Sequence, residues 1–142
     1  MTLAEPNAGV LDTSTLILLE RVDEEDLPAE PFITAITLAE LSVGPLVAGN
    51  DAERAARQAR LQQAEADFDP LPFDAEAARA FGRVAASLRQ SGRKVQARAY
   101  DAMIAATAMA NGLPLYTVHP ADFQGIADLE LRGIAHPDQE GW

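Results

Sequence analysis

Four acidic residues stand where apolar, strand-like segments give way to a helix or a turn, and they are the residues best placed to do chemistry together. Asp12 ends the first apolar run, Glu40 follows the second, Asp101 opens an alanine-rich segment, and Asp122 lies just past the last run. Because ligands bind at the carboxyl ends of the strands in an open α/β sheet, we expect these acids to converge at that edge. Converged carboxylates repel one another, and Mg²⁺ or Mn²⁺ relieves the repulsion because these hard cations take oxygen ligands.

Each acid also has a purely structural explanation. Asp12 could cap the helix that follows it, Asp101 could be an acid favoured by a helix dipole, and Asp122 could be a turn residue. Glu40 completes a capping box with Thr37, in which its carboxylate would bond back to the threonine backbone. The joint arrangement favours chemistry, because Asp12 ends a buried strand where a carboxylate is costly unless it is paired or bound to metal.

Hydroxyl and basic side chains accompany the acids. The hydroxyls expected at the same edge, where they could orient a carboxylate or a water, are those of Thr13, Ser14 and Thr117. Six of the eleven basic residues lie in the segment 78–99, which contains no acid and leads directly into Asp101. A solvated helix face and a phosphate-binding flank both fit this pattern. For the second interpretation, the candidate RNA-binding residues are Arg89, Arg93, Lys94 and Arg98.

The composition excludes several classes of function. The 142 residues carry a net charge of −11, which argues against broad electrostatic attraction to nucleic acid and leaves only a local basic surface for it. There is no cysteine, so disulfides, thiolate catalysis and zinc–thiolate sites are excluded, and a reducing cytoplasm is suited. We expect no secretory signal and no membrane span, because the start lacks a basic segment and the apolar runs are short.

Strand and helix patterns alternate along the chain, and these elements must position the acids. The strands are predicted at 8–12, 32–36 and 113–118, with a weak strand at 68–71 and an edge strand at 129–134. The helices are predicted at 13–22, from 37 to about 44, at 51–66 with Asp51 as cap, from the Asp74 cap to Gly92, and at 100–111. Strands separated by helices imply an α/β fold with a small, mainly parallel sheet covered on both faces.

Four segments resemble, in order, the acidic motifs of the PIN domain family. They are GVLDTS at 9–14, ITLAEL at 36–41, YDAMIAATA at 100–108 followed by NGLPL, and TVHPADF at 117–123. The resemblance implies a PIN-like three-layer α/β/α fold in a single domain over 1–135, followed by an irregular tail at 136–142. One position departs from the pattern, because His119 stands where the family usually has asparagine.

The resemblance further implies a metal-dependent endoribonuclease, the VapC-type toxin of a bacterial toxin–antitoxin pair. Its catalytic acids would be Asp12, Glu40, Asp101 and Asp122. Three of them, Asp12, Asp101 and Asp122, would bind Mg²⁺ or Mn²⁺, and Glu40 would act through a water. The family also implies a homodimer, and inhibition by a cognate antitoxin whose C-terminal segment covers the site.

Two other functions remain open at this stage. A housekeeping PIN-type nuclease would act on another nucleic acid, such as DNA flaps, although its larger relatives carry extra acids and an insertion that this chain lacks. A catalytically degenerate PIN scaffold would only bind a protein partner. The presence of all four acids weighs against the degenerate scaffold, and an adjacent small antitoxin-like reading frame would separate a toxin from a housekeeping enzyme.

Overall fold

A single parallel sheet of four short strands organises the computed structural model, which describes residues 7–138. The strands are β1 (Ala8–Leu11), β2 (Glu30–Phe32), β3 (Leu115–Thr117) and β4 (Leu131–Gly133). The α-helices of the described part are α1 (Thr13–Ile17), α2 (Ala35–Val43), α3 (Asp51–Asp67), α4 (Ala75–Gln90) and α5 (Ala99–Ala110). All neighbouring strands pair in parallel, which confirms the predicted α/β class.

The order of the strands is β2-β1-β3-β4, so β1 has a parallel neighbour on each side. The chain leaves β1 to form β2 on one side and returns through the remaining helices to form β3 on the other. The crossovers from β1 and to β3 therefore diverge, and they leave a crevice at the carboxyl ends of these two strands. Such a switch point is where open α/β sheets bind their ligands.

Adjacent residues of β1 face opposite sides of the sheet and explain its three layers. Val10 packs with Ile104 of α5 and with Leu115, whereas Leu11 packs with Leu16 of α1 and Leu41 of α2. Successive side chains of a strand alternate between the faces, so an unbroken apolar strand requires helices on both sides. The predicted three-layer α/β/α arrangement is thus confirmed.

Helix α5 lies in the core because small side chains cover it on two sides. Its Ile104, Ala105 and Ala108 face the sheet, and Ala102 and Ala106 pack against α4. Asp101 begins this helix at its exposed end. The alanine-rich sequence therefore allows two close contacts at once, and it fixes where the carboxylate of Asp101 must emerge.

The segment around β2 differs from its prediction. The strand ends at Phe32, and α2 begins at Ala35 with Thr34 as its N-cap, where the Thr34 Oγ1 accepts a hydrogen bond of 3.2 Å from the Thr37 backbone N–H. The strand predicted at 32–36 is therefore wrong after its first residue, since the observed strand lies earlier in the chain. Its Ile and Thr residues have high β propensity, but a threonine cap and tertiary packing favour the helix.

Three other boundaries also move. Helix α1 ends at Ile17, and the residues to 22 form turns, so the helix predicted at 13–22 is too long. The strand predicted at 68–71 is wrong, since its pairing is limited to one isolated parallel bridge between Thr34 and Leu71. Pro70 and Pro72 limit strand pairing around Leu71 because proline has no N–H to donate. The cap of α3 also differs from its prediction, since it is Asn50 instead of Asp51.

The C-terminal end of the described chain runs back toward the sheet edge that carries the acids. Residues 134–138 form neither helix nor strand, and residues 139–142 of the predicted tail lie outside the described residues. The ring of His136 lies 5.2 Å from that of His119. None of the helices within residues 7–138 has the length and apolar character to cross a membrane.

Candidate active site

Asp12 lies directly after β1 and is the N-cap of α1, so strand and helix together fix its carboxylate. Its Oδ1 accepts a hydrogen bond of 3.1 Å from the Thr15 backbone N–H and a second from the Thr15 hydroxyl. Its Oδ2 accepts one of 2.7 Å from the Thr117 hydroxyl at the end of β3. Only 4% of Asp12 is exposed, and burial raises the pKa of its carboxyl although the hydroxyls of Thr15 and Thr117 lower it.

The two threonines beside Asp12 are themselves held by the backbone of the same crevice. The Thr15 Oγ1 accepts the Val118 N–H at 3.1 Å, and the Thr117 Oγ1 accepts the His119 N–H at 2.9 Å. Each hydroxyl therefore accepts a backbone N–H and directs its own hydrogen at Asp12. These donated hydrogen bonds favour the ionised carboxylate and oppose the effect of burial.

Glu40 reaches the crevice from α2. Its Oε1 accepts a hydrogen bond of 2.6 Å from the Thr13 hydroxyl, and the Thr37 Oγ1 lies 2.9 Å from that same hydroxyl. The capping-box alternative is therefore wrong: α2 is capped by Thr34, and Glu40 bonds across to α1. Burial raises the pKa of the half-buried Glu40 carboxyl, Thr13 lowers it, and repulsion from Asp12 raises it further.

Asp101 carries the largest electrostatic perturbation of the four acids. Burial, followed by repulsion from Asp122, Asp12 and Glu40, raises its pKa from 3.8 to about 6, against the opposing effect of Arg98. Repulsion from all three other acids means that the four carboxylates share one electrostatic neighbourhood. We refer to Asp12, Glu40, Asp101 and Asp122 together as the acidic site.

Asp122 lies in the loop after β3, within the 3₁₀ turn Pro120–Phe123. Its Oδ1 accepts a hydrogen bond of 2.8 Å from Arg98 Nη1, which forms an ion pair between the loop and the start of α5. Phe123 anchors this turn in the core beside Val10 and Leu115. The position of Asp122 is thus fixed by packing on one side and by an arginine on the other.

The donor chemistry of the acidic site fits a magnesium-like ion. Its four carboxylates offer only oxygen, the ligand that Mg²⁺ and Mn²⁺ prefer. Their mutual repulsion is the kind that a divalent cation offsets. Within residues 7–138, however, no three Asp, Glu, His or Cys side chains are already grouped closely enough to hold an ion. Mg²⁺ usually keeps several water ligands, so carboxylates at this spacing would hold it partly through water.

The three predicted supporting residues differ in their contacts with the acids. Thr13 and Thr117 each donate a hydrogen bond to an acid, as described above, and Ser14 lies beside them in the first turn of α1. Two further hydroxyls were not predicted at the site: that of Thr15, which contacts Asp12, and that of Thr37, which contacts Thr13. An N-capping aspartate places the third residue of the helix beside its carboxylate, so Thr15 was accessible to sequence reasoning. Thr37 was not, since its contact crosses between helices.

The four predicted RNA-binding residues differ in their contacts with the acidic site. Arg98 contacts Asp122 and lines an open cleft together with Glu40, Tyr100 and Asp101. Arg93 donates a hydrogen bond of 3.3 Å to Gln124, in the same loop region as Asp122. Arg89 and Lys94 are exposed at the end of α4 and in the following turn. Arg98 is therefore the member of this set that touches the acidic site.

Comparisons with known proteins agree with this architecture. A family model described as the PIN domain matches residues 9–127. Ribonuclease VapC5 of Mycobacterium tuberculosis is 42% identical over 131 residues, which cover 89% of this chain and 95% of that protein. Ribonuclease VapC1 of Rickettsia felis is 29% identical over 133 residues, covering 91% and 98%. The crystal structure of VapBC-5, a toxin–antitoxin system of Mycobacterium tuberculosis, contains a chain 41% identical with a TM-score of 0.78, covering 90% and 99%.

Proposed function

The chain belongs to the PIN domain family, alongside relatives named VapC ribonucleases, and on that premise we propose that it is an endoribonuclease that serves as the toxin of a type II toxin–antitoxin pair. The observation that carries this proposal is the gathering of Glu40, Asp101 and the Arg98–Asp122 pair at one cleft, and the raised pKa of Asp101 supports it. Perturbed carboxyls gathered in a cleft are typical of sites that bind metal or transfer protons. The proposed reaction is hydrolysis of an RNA phosphodiester bond.

Asp12, Asp101 and Asp122 are the residues that we propose to hold Mg²⁺ or Mn²⁺. When bound, such an ion would lower the pKa of a water and neutralise charge on the phosphate. Asp12 is suited to this role because the hydroxyls of Thr15 and Thr117 already fix both of its oxygens. A ligand held in this way keeps its geometry when substrate arrives.

Glu40 is the proposed general base, acting on the attacking water. Thr13 occupies its Oε1, which orients the carboxylate and leaves Oε2 to accept a proton. The direction of its pKa, raised by burial and by Asp12, brings proton acceptance closer to neutral pH. The Thr37 hydroxyl bonds to the Thr13 hydroxyl and so helps to hold it against Glu40.

The RNA backbone is proposed to lie along the cleft that Arg98, Tyr100 and Asp101 line. Arg89, Arg93 and Lys94 extend a basic surface from that cleft, and their charges would offset the net charge of −11 near the phosphates. Tyr100 is largely exposed and offers an aromatic face for an unstacked base. These features are consistent with a single-stranded RNA substrate.

Two protein partners are proposed, a second copy of the chain and a cognate antitoxin. The structure of the relative VapBC-5 is described as a toxin–antitoxin system, which supports the antitoxin. Exposed apolar side chains support at least one protein interface, since Leu46 is 84% exposed, Val47 66% and Val43 49%. Apolar surface of this kind commonly marks an interaction site. A toxin that acts on cellular RNA would work in the cytoplasm.

The test is a cleavage assay on matched RNA and DNA oligonucleotides, with Mg²⁺ or Mn²⁺ and with chelator. We expect RNA cleavage that requires metal and falls at least about 100-fold in Asp101→Asn. Asp128→Asn is the matched control, because Asp128 is exposed with a φ of 68°, a conformation that asparagine also tolerates. Preferential DNA cleavage would favour the housekeeping nuclease, and no cleavage by the wild type would favour the degenerate scaffold.

A further inference from the structure

We propose that Arg98 is an internal counterion of the acidic site, which a divalent cation must displace from Asp122 and which then binds a phosphate of the substrate. The inference rests on the proposed function, since it concerns the same acids and the same substrate. It assigns to Arg98 a positioning role with two alternative partners, a carboxylate in the metal-free protein and a phosphate in the loaded complex. Metal binding and substrate binding would thereby be coupled through one side chain.

The geometry of the ion pair is the first support. Arg98 Nη1 lies 2.8 Å from Asp122 Oδ1, and the two side chains are 35% and 39% exposed. The contact joins residues 24 apart in sequence, between the start of α5 and the loop after β3. Asp122 Oδ1 is therefore already occupied by a cation in the protein without metal. Any ion that takes this oxygen competes directly with the guanidinium.

The other ion pairs of the described chain differ from this one. Those on α3 and α4 join residues three or four apart on one helix face, namely Arg54–Asp51, Arg57–Glu53 and Arg79–Glu76. Arg132 pairs with Glu130, and Arg21 with Asp138, both between exposed side chains and neither with one of the four acids. Among residues 7–138, Arg98 is thus the arginine paired with a member of the acidic site.

The positive charge of Arg98 gives the Arg98–Asp122 ion pair an effect on the whole acidic site. Asp122 raises the pKa of Asp101 and Arg98 lowers it, so the guanidinium partly cancels the repulsion among the four carboxylates. A divalent cation would perform the same neutralisation with two charges, which makes Arg98 dispensable to the acids once metal is bound. Its side chain would remain beside the cleft that it lines with Tyr100 and Asp101. A planar guanidinium is well suited to bind phosphate there.

The test is a titration of Mn²⁺ into RNA-free protein by calorimetry, comparing the wild type with Arg98→Gln. If Arg98 competes with the metal, its removal tightens Mn²⁺ binding by about three- to tenfold, because both the competing ion pair and a nearby positive charge are lost. Arg98→Lys retains the charge and should bind Mn²⁺ with nearly wild-type affinity. This variant also guards against misfolding of the glutamine variant.

Arg54→Gln is the matched control for charge. It removes an arginine from an exposed Arg–Asp pair of 2.7 Å on α3 that includes none of the four acids. The net charge changes by the same amount as in Arg98→Gln, so a general effect of charge on cation binding would appear in both. We expect unchanged Mn²⁺ affinity in Arg54→Gln.

Thermal melting without RNA supplies an independent measurement. Metal-free Arg98→Gln should melt at a lower temperature than the wild type, since the acids lose their counterion, and the increase in Tm on adding Mn²⁺ should be larger. In steady-state cleavage, the phosphate role predicts a KM for RNA raised about three- to tenfold with a smaller change in kcat. Arg98→Lys should restore part of the KM.

The outcomes separate this inference from the proposed function. Weaker or unchanged Mn²⁺ binding in Arg98→Gln, while the wild type binds Mn²⁺ and cleaves RNA, overturns the counterion role alone. Tighter Mn²⁺ binding with an unchanged KM overturns the transfer of Arg98 to phosphate. A wild type that neither binds Mn²⁺ nor cleaves RNA overturns both the inference and the proposed function.

Discussion

At the scale of the residue, burial of the acidic site opposes the ionisation of its carboxyls. Asp12 is buried but receives hydrogen bonds on both oxygens, whereas Asp101 is half-buried and surrounded mainly by other acids. Burial raises the pKa of both carboxyls, so the folded protein holds protons there more tightly than the unfolded chain does. Such a site is costly to the metal-free fold, and a cost of this kind is common where function needs repelling charges.

The first prediction concerns Asp101 and the pH dependence of stability in the presence of chelator. The pKa of Asp101 is about 6 in the fold and 3.8 in the reference state, so between these values the folded protein binds more protons. Stability should therefore rise as pH falls from about 7 toward about 5. Asp101→Asn should flatten that rise and increase Tm at pH 7.5 by about 2–4 °C. Melting curves across this pH range provide the measurement, and a lower Tm in Asp101→Asn at pH 7.5 would contradict it.

The second prediction concerns Glu40. Glutamine keeps an oxygen that can accept the Thr13 hydrogen bond, so Glu40→Gln should leave Tm within about 2 °C of the wild type. The loss of charge should nevertheless reduce kcat for RNA cleavage at least about 100-fold.

Thr13→Val serves as the partner variant for Glu40. It removes only the orienting hydroxyl and should lower kcat by less than Glu40→Gln does. Equal activity of Glu40→Gln and the wild type in a single-turnover assay would show that the Glu40 carboxylate is not the base.

At the scale of the element, the site depends on how closely β1 approaches β3. Val10 pairs with Leu115 and Leu11 with Tyr116, which brings the end of β1 beside the end of β3. Thr117 can then bond to Asp12, although 105 residues separate them. Two features permit this approach: the small residues of α5 behind the sheet and Gly9 within it.

The third prediction tests Gly9. A Cβ at this position would lie 2.6 Å from Cδ1 of Tyr116, a ring that packs against the clusters of Leu11 and Val22 and cannot move freely. Gly9→Ala should therefore lower the free energy of unfolding by about 1–3 kcal/mol, measured by urea denaturation. In the double variant with Tyr116→Ala the clash is absent, so the free energy of unfolding should fall by less than the sum of the two single effects. Additive effects of the two substitutions would contradict the contact as the cause.

At the scale of the whole molecule, the proposed function requires an acidic protein to bind an acidic polymer. The net charge is −11, but the segment 78–99 contains six of the eleven basic residues, which lie along α4 and in the connection between α4 and α5. This connection also carries Arg98 to the acidic site. The fold thus brings the C-terminal end of this basic segment to the acids.

The fourth prediction concerns salt. Replacing Arg89, Arg93 and Lys94 together with glutamine should weaken RNA binding and reduce the slope of log affinity against log salt by up to about 2, or about 0.7 for each lost phosphate contact. The control replaces three exposed arginines outside the segment 78–99 instead, namely Arg54, Arg60 and Arg132. Binding measured by fluorescence anisotropy at several salt concentrations compares the two triple variants. Equal slopes would return the basic segment to a solvated helix face.

Much of the fold could be predicted because local signals were strong. Asp74 caps α4, and the Asn111-Gly112 stop ends α5 where Gly112 adopts a φ of 66°. The alternation of apolar strands with helices predicted a parallel sheet, and the ends of its strands predicted where Asp12 and Asp122 lie. Local signals failed around Phe32, where β-branched residues continue past the end of the strand into a helix.

The sequence by itself determined the chemistry available to this protein: four carboxylates, no thiol, and one basic segment, ordered along an alternating strand–helix pattern. Only the tertiary structure decided which of these groups meet. Glu40 bonds Thr13 and not its own helix terminus, and Arg98 pairs with Asp122. Such contacts join residues 24 or more apart, so they depend on how the helices pack on the sheet, and no local propensity encodes that packing. The same packing buries Asp101 among like charges and so sets its pKa.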